Sequence, residues 1–189
     1  MPVDWEDRYR RGETRWEKGA PAPPLMEFLA RARICGDVLV PGCGTGHDVR
    51  FLAEAGLDVE GIDFSAAAIE AALPVLGPHA GRLRLADFFE GEPGPFAFVY
   101  ERAFLCALPR RRWGDWAARQ AALVAPGGHL AGFFFFGEGL RGPPFPLHGQ
   151  AELDALLDPA FVRVQDLDVD DSIPVFAGRE RWQAWRRRD

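Results

Sequence analysis

The 189-residue chain contains no asparagine, and Lys18 is the only lysine among its 22 basic residues. A GC-rich genome is the simplest source of that bias, and composition alone does not separate it from a thermophilic origin. Cysteine is scarce: Cys35, Cys43 and Cys106 are odd in number and lack metal-ligand spacing, so reduced structural thiols are expected. No apolar run reaches the roughly 18–20 residues that span a bilayer. The first residues, MPVDWEDRYRRGE, mix charges and lack the apolar stretch of a secretion signal. Basic excess is also missing. The net charge is −6 and the pI about 5.3, which argues against nucleic acid as a partner, and the terminal RRRD reads as a solvated tail. The expectation is a soluble cytoplasmic protein, monomer or homodimer, with a small-molecule substrate and no membrane partner.

What remains is ordinary globular composition, 48% hydrophobic and 26% charged, at a length that suits one domain. No repeat or low-complexity linker divides it. Apolar periodicity alternates strand and helix. Strands are expected at Asp37–Pro41, Leu57–Ile62, Arg82–Ala86, Pro95–Tyr100 and His129–Phe136. The four phenylalanines ending the last of these suit a strand buried on both faces, with the final one or two rings as candidates for a pocket wall. Helices are expected at Leu25–Arg33, Asp48–Ala55, Ala66–Leu76 (capped by Ser65), from Pro109 to Val124, and at Gln150–Leu157. PGG at 126–128 is expected to break the chain between helix and strand. Phe161–Val169 and Ile173–Gly178 read as a closing antiparallel pair. This order implies an α/β fold, a doubly wound, mainly parallel sheet covered on both faces, with any ligand at the carboxyl ends of the strands.

The first strand runs into Gly42, Gly44 and Gly46, a G-x-G-x-G turn that lets backbone approach a ligand closely. Its spacing differs from the dinucleotide fingerprint, which disfavours a nicotinamide oxidoreductase. Asp63 closes the second strand, nineteen positions after Gly44, where an acid accepts hydrogen bonds from ribose hydroxyls. Ser65, rather than Asp63, is placed to cap the next helix. Asp87 follows the third strand as an acceptor for an exocyclic adenine amine, and Phe88 and Phe89 are either flat walls for the base or core rings. Together these features describe a site for an adenosine-containing ligand.

The combination resembles class I S-adenosylmethionine-dependent methyltransferases. In most of these an acid stands two residues before the first glycine, facing the methionine amino group. Here Val40 takes that place, followed by Pro41. VLVPGCGTGHDVRFLAEAGLDVEGIDFS resembles instead the thiopurine methyltransferase family with its halide and thiol methyltransferase relatives, and the resemblance spans nearly the whole chain. It implies a seven-stranded Rossmann-like sheet in one domain, with residues 1–33 a lid and helix and 34–189 the core. WEDRYRRGETRW resembles the family's aromatic N-terminal segment, implying that Trp5, Tyr9 and Trp16 cover the cofactor. Without the resemblance the same rings read as a satellite core. Pro41, Cys43 and Phe64 join the implied S-adenosyl-L-methionine site beside the glycines and acids. YERAFLCAL matches the segment facing the transferred methyl and implies acceptor roles for Arg102 and Phe104. RGPPFPLH resembles the family's substrate loop, implying Pro144 and Phe145, and GRERWQAW resembles the close of the halide and thiol branch. Arginine at 102 is the thiopurine-type residue, whereas the halide and thiol branch tends to have tyrosine.

Methyl transfer from a sulfonium demands alignment above all, and orientation can supply about 7–11 kcal/mol. A thiol, thiopurine-like compound, hydrosulfide or halide needs no strong base, and Arg102 would favour an anionic nucleophile. Its alternative role is a salt bridge to Glu101 or another surface acid. An oxygen or nitrogen acceptor would require a base such as His148, Asp115 or Glu138. A cofactor-binding module without catalysis is the remaining alternative.

Overall fold

The computed structural model describes residues 3–91, 94–139 and 142–189. β1 (Val38–Pro41) is buried throughout, as befits the centre of a covered parallel sheet. Successive βα units give α3 (His47–Glu54), β2 (Val59–Asp63), α4 (Ala66–Leu76), β3 (Leu83–Leu85) and β4 (Phe96–Arg102). Then come α5 (Trp113–Leu123), β5 (Val124–Phe135), α6 (Gln150–Leu157), β6 (Phe161–Asp168) and β7 (Glu180–Arg187). Two helices precede the sheet, α1 (Trp5–Arg10) and α2 (Pro23–Ala32). The seven strands are ordered β3-β2-β1-β4-β5-β7-β6, all parallel except β7, which is antiparallel to both its neighbours. The order reverses between β1 and β4, so the crevice of a doubly wound sheet opens above those two strands.

Strand alternation sorts the core onto two faces. Val38, Val40, Phe98, Tyr100 and Phe133 pack with Leu25, Phe28, Val49 and Leu52 on one side. Leu39, Val99, Leu130 and Phe134 pack with Trp113, Trp116, Leu153 and Trp185 on the other. Phe135 joins neither: it packs with Cys106, Ile173 and Phe176 beside Trp16.

Four expectations are corrected. The partner of β6 is β7 at Glu180–Arg187, not Ile173–Gly178. Because β7 runs between two strands under cover from both faces, Trp182 to Trp185 are all buried and show no polar alternation. Residues 173–178, interrupted by Pro174, form turns instead (Phe176 N to Ile173 O, 2.8 Å). The terminal arginines are not all tail: Arg186 and Arg187 belong to β7, and Arg187 donates to the Ala121 and Ala160 carbonyls. Finally, Pro109 opens a short 3-10 turn, Arg110–Arg112, ahead of α5, and PGG lies inside β5 as a bulge opposite Phe96–Phe98. None of the described helices is long and apolar enough to cross a membrane.

Candidate active site

At the carboxyl ends of β1, β2 and β4 lies a cavity of about 590 Å³. It is lined by Trp5, Tyr9 and Trp16 of the N-terminal segment, by Gly42, Asp63, Phe64, Asp87, Phe88 and Phe89 at the ends of the first three strands, and by Arg102, Phe104 and Pro144. A narrow cleft of about 40 Å³ continues under the glycine turn, where Cys43, Gly44 and Gly46 join its wall. Of the residues that the resemblance places in the cofactor and acceptor sites, two are off both walls. Pro41 is buried in register with Ile62, and Phe145 turns into the core while its N–H donates to Cys106 O (2.7 Å). The rings of Phe133 to Phe136 also stay in the core and do not reach the cavity. Arg141, which opens the RGPPFPLH stretch, lies outside the described residues.

The glycine turn is shaped by Asp63. Its Oδ2 accepts from Gly44 N (3.1 Å) and its Oδ1 from Ser65 N (2.9 Å), which ties the end of β2 to the end of β1. Each oxygen keeps a second lone pair for ribose hydroxyls. Burial raises the Asp63 carboxyl above its usual range, opposed by the N–H bonds of Ser65 and Gly44. Asp87 is exposed at the cavity rim, with Oδ1 accepting from Phe89 N (2.8 Å). Phe88 stands edge-on to both Phe89 and Phe104, at 5.1 and 5.0 Å between centroids.

Gly44 has φ +53°, and a Cβ there would stand 2.6 Å from Glu17 Oε1 and 2.8 Å from the Tyr9 hydroxyl. That close approach needs glycine. The N-terminal segment is attached at three points. Glu6 Oε2 accepts from Ser65 Oγ (2.6 Å) and Ala67 N (3.1 Å) at the start of α4. Glu17 Oε1 accepts from Thr45 N (2.8 Å). Lys18 Nζ donates to Asp171 O (2.9 Å) and pairs with the Asp171 carboxylate. Above the cavity Trp16 stands edge-on to Trp5 (5.2 Å) and Tyr9 (5.8 Å), with the Arg8 guanidinium over both tryptophan rings.

Arg102 lines both spaces and is mostly buried. Its partner is Asp48, at 3.6 Å, while the guanidinium lies over Phe133 (5.1 Å to the centroid). Glu101 points to the opposite face, where Oε1 accepts from Phe104 N and Leu105 N, both at 2.9 Å, and holds the loop that follows β4. Burial pushes the Glu101 carboxyl up to about 7, against those two N–H bonds. Sequence reasoning passed over Glu17, Asp48, Val175 and Phe176. Glu17 meets the turn only through the fold, Asp48 follows the turn in sequence but meets Arg102 only through the fold, and the last two line the cavity from a segment that reads as strand. His148, Asp115 and Glu138 are exposed, and none lines the cavity.

The walls fit an S-adenosyl group: a glycine cradle without room for a Cβ, buried Asp63 at its edge, aromatic rings on the wall, and the buried Thr45 Oγ1 left without a partner among the described residues. Comparison with known proteins agrees. The profile of the thiopurine S-methyltransferase family matches residues 2–188. The chain belongs to that family. It is an S-adenosylmethionine-dependent methyltransferase with the class I Rossmann-like fold. Among its relatives, a probable thiol methyltransferase 2 of Arabidopsis thaliana is 30% identical over 97% of this chain and 84% of that one. A thiopurine S-methyltransferase of Vibrio cholerae serotype O1 is 29% identical over 89% and 87%. A solved structure of similar fold is the Burkholderia thailandensis 1,6-didemethyltoxoflavin-N1-methyltransferase. Its TM-score is 0.76 at 21% identity, over 97% of this chain and 85% of that one.

Proposed function

We infer that this methyltransferase acts on a small soft nucleophile, a thiol or thiopurine-like compound first, hydrosulfide and halides after it. One observation carries the reading: Arg102 is a buried cation on a cavity wall that also includes the apolar Trp16, Ala103, Cys106, Pro144 and Phe176. Such a wall favours an anion with an apolar body. The guanidinium stays charged at any working pH, so a thiol beside it ionises more readily. When bound, the cofactor supplies an electrophilic methyl carbon on a sulfonium. Arg102 would hold the nucleophile's charge, and Phe104 and Pro144 would confine it to an in-line approach. Phe145 would contribute by fixing Pro144 through its bond to Cys106 rather than by touching the acceptor. The N-terminal segment would act as a lid, residues 1–33 closing over the core of 34–189, keeping water out and lending ring faces to the sulfonium, each worth roughly 0.5–2 kcal/mol.

An oxygen or nitrogen acceptor lacks support, because the candidate bases stand away from the cavity. Arginines Arg8, Arg15, Arg102, Arg111 and Arg112 also outnumber Glu13, Asp63 and Asp87 on its walls, which again favours an anionic acceptor. The test is formation of S-adenosylhomocysteine from S-adenosylmethionine with iodide, hydrosulfide, a small aromatic thiol and a thiopurine. The aromatic thiol or thiopurine should turn over fastest. Measurable cofactor binding with no product from any of the four would overturn the assignment, and would revive a binding module without catalysis.

A further inference from the structure

The cleft beneath the glycine turn is where the amino-acid end of an S-adenosyl cofactor has to lie, since the adenosine side of the site is taken up by Asp63, Asp87 and the phenylalanines. An ammonium group buried there needs a carboxylate. The first strand has none: Val40 occupies the usual position and is buried and apolar.

Among the described residues two carboxylates line the cleft, and they differ in what they already hold. Asp48 is paired with Arg102 at 3.6 Å. Glu17 spends one oxygen on Thr45 N, and among the described residues no cation pairs with it, because the neighbouring Lys18 is taken by Asp171. Its negative charge pushes up the carboxyls of Asp48 and Asp63 and the thiol of Cys43, although burial is the larger cause for each. A cation arriving at the turn relieves all of these at once. Thr45 lines the same cleft, and its buried Oγ1, without a partner among the described residues, is a second acceptor at hand.

We propose that Glu17, carried by the N-terminal segment, replaces the carboxylate missing at Val40 and accepts the ammonium group of the cofactor's amino-acid end, with Thr45 Oγ1 beside it. The donor site is then completed by a residue outside the sheet. Binding of the cofactor's tail and seating of the segment over the turn become one event, because the same carboxylate serves both. The proposal rests on the S-adenosyl assignment of the cavity.

Calorimetric titration separates the possibilities. S-adenosylhomocysteine carries the amino-acid end, and 5′-methylthioadenosine keeps the nucleoside and lacks it. Glu17→Gln retains an oxygen for Thr45 N and loses the charge. It should weaken S-adenosylhomocysteine on the order of ten- to a hundred-fold, the worth of a charged hydrogen bond, and leave methylthioadenosine within about two-fold. Glu17→Asp should recover part of the loss. Equal weakening of both ligands would reduce Glu17 to a structural tether and overturn the proposal. Unchanged S-adenosylhomocysteine affinity, with loss appearing in Asp48→Asn instead, would also overturn it and hand the ammonium to Asp48. If the unaltered protein bound neither ligand, the cavity assignment itself would fail, and the proposal with it.

Discussion

Glu6 accepts a 2.6 Å hydrogen bond from the Ser65 hydroxyl across 59 residues of chain. The same carboxylate oxygen takes Ala67 N, while Ser65 Oγ itself caps Ala68 N (3.1 Å), so α1 is fastened to the first turn of α4. An anion at a helix start also meets the positive end of its dipole. Because Ser65 caps α4 without help, Glu6→Ala should release α1, with the segment still held at Glu17 and Lys18, and spare the α4 helix. Tryptic cleavage among Arg8, Arg10 and Arg11 should quicken several-fold, with little change in helix content. The Ser65 bond, ahead of the Ala67 bond, lowers the Glu6 carboxyl. The anchor therefore holds at neutral pH and is lost as pH falls through that lowered value, so wild-type cleavage at acid pH should approach that of the variant.

Gly44→Ala places a methyl into Glu17 and Tyr9 at a backbone angle that side chains rarely adopt. Left-handed strain costs about 1–3 kcal/mol. Because the obstructing atoms belong to the N-terminal segment, the loss should divide. The melting temperature should fall by a few degrees, and cofactor affinity, read by calorimetry, should fall at least ten-fold. A change in stability alone, with affinity kept, would mean that the segment yields to the methyl at no cost to the site.

How much of this was readable in the chain depends on distance. Ser65 as the cap of α4, the bounds of α4 and α6, and the turn after β1 were legible because each is decided by neighbours within a few residues. Asp63 was legible as the acid ending β2, while its bonds to Gly44 and Ser65 were not. β7 was missed because a strand enclosed on both sides and both faces has no polar alternation to show. Residues 173–178 alternate without being a strand, since Ile173 and Phe176 are buried by a turn packed on Phe135. Glu17 meets Thr45 across 28 residues, and nothing in WEKG distinguishes that glutamate from a solvated one.

Arg102→Ala should lower turnover of a thiol and shift its pH–rate profile to higher pH, because the nucleophile must then ionise unaided. S-adenosylhomocysteine affinity should stay within a few-fold. The substitution also strands Asp48, whose carboxyl burial already raises against the pull of Arg102. Leaving a buried charge unpaired is destabilising by itself. The double variant Arg102→Ala with Asp48→Asn removes that contribution. If the double variant recovers stability and stays slow, the guanidinium serves the acceptor; recovery of both would make it an ion-pair partner and nothing more.

Glu101 offers the clearest pH signature. Its carboxyl is fully buried, with one oxygen on two N–H groups and the other, Oε2, without a partner among the described residues. Burial raises it to about 7, above the ordinary carboxylate range, so the folded protein binds a proton that the unfolded chain has already released. The stabilisation is complete below the unfolded pKa of about 4.3 and is lost as pH rises through 7. At 1.36 kcal/mol per unit, the loss amounts to about 3 kcal/mol between pH 4 and pH 8. Glu101→Gln keeps an oxygen for Phe104 N and Leu105 N and cannot ionise. Urea midpoints at pH 6 and pH 8.5 should therefore show the variant gaining on the wild type at the alkaline value. Parallel profiles would mean that the carboxylate finds water or a partner on ionising, and that the loop after β4 is held as well by a charge as by a proton.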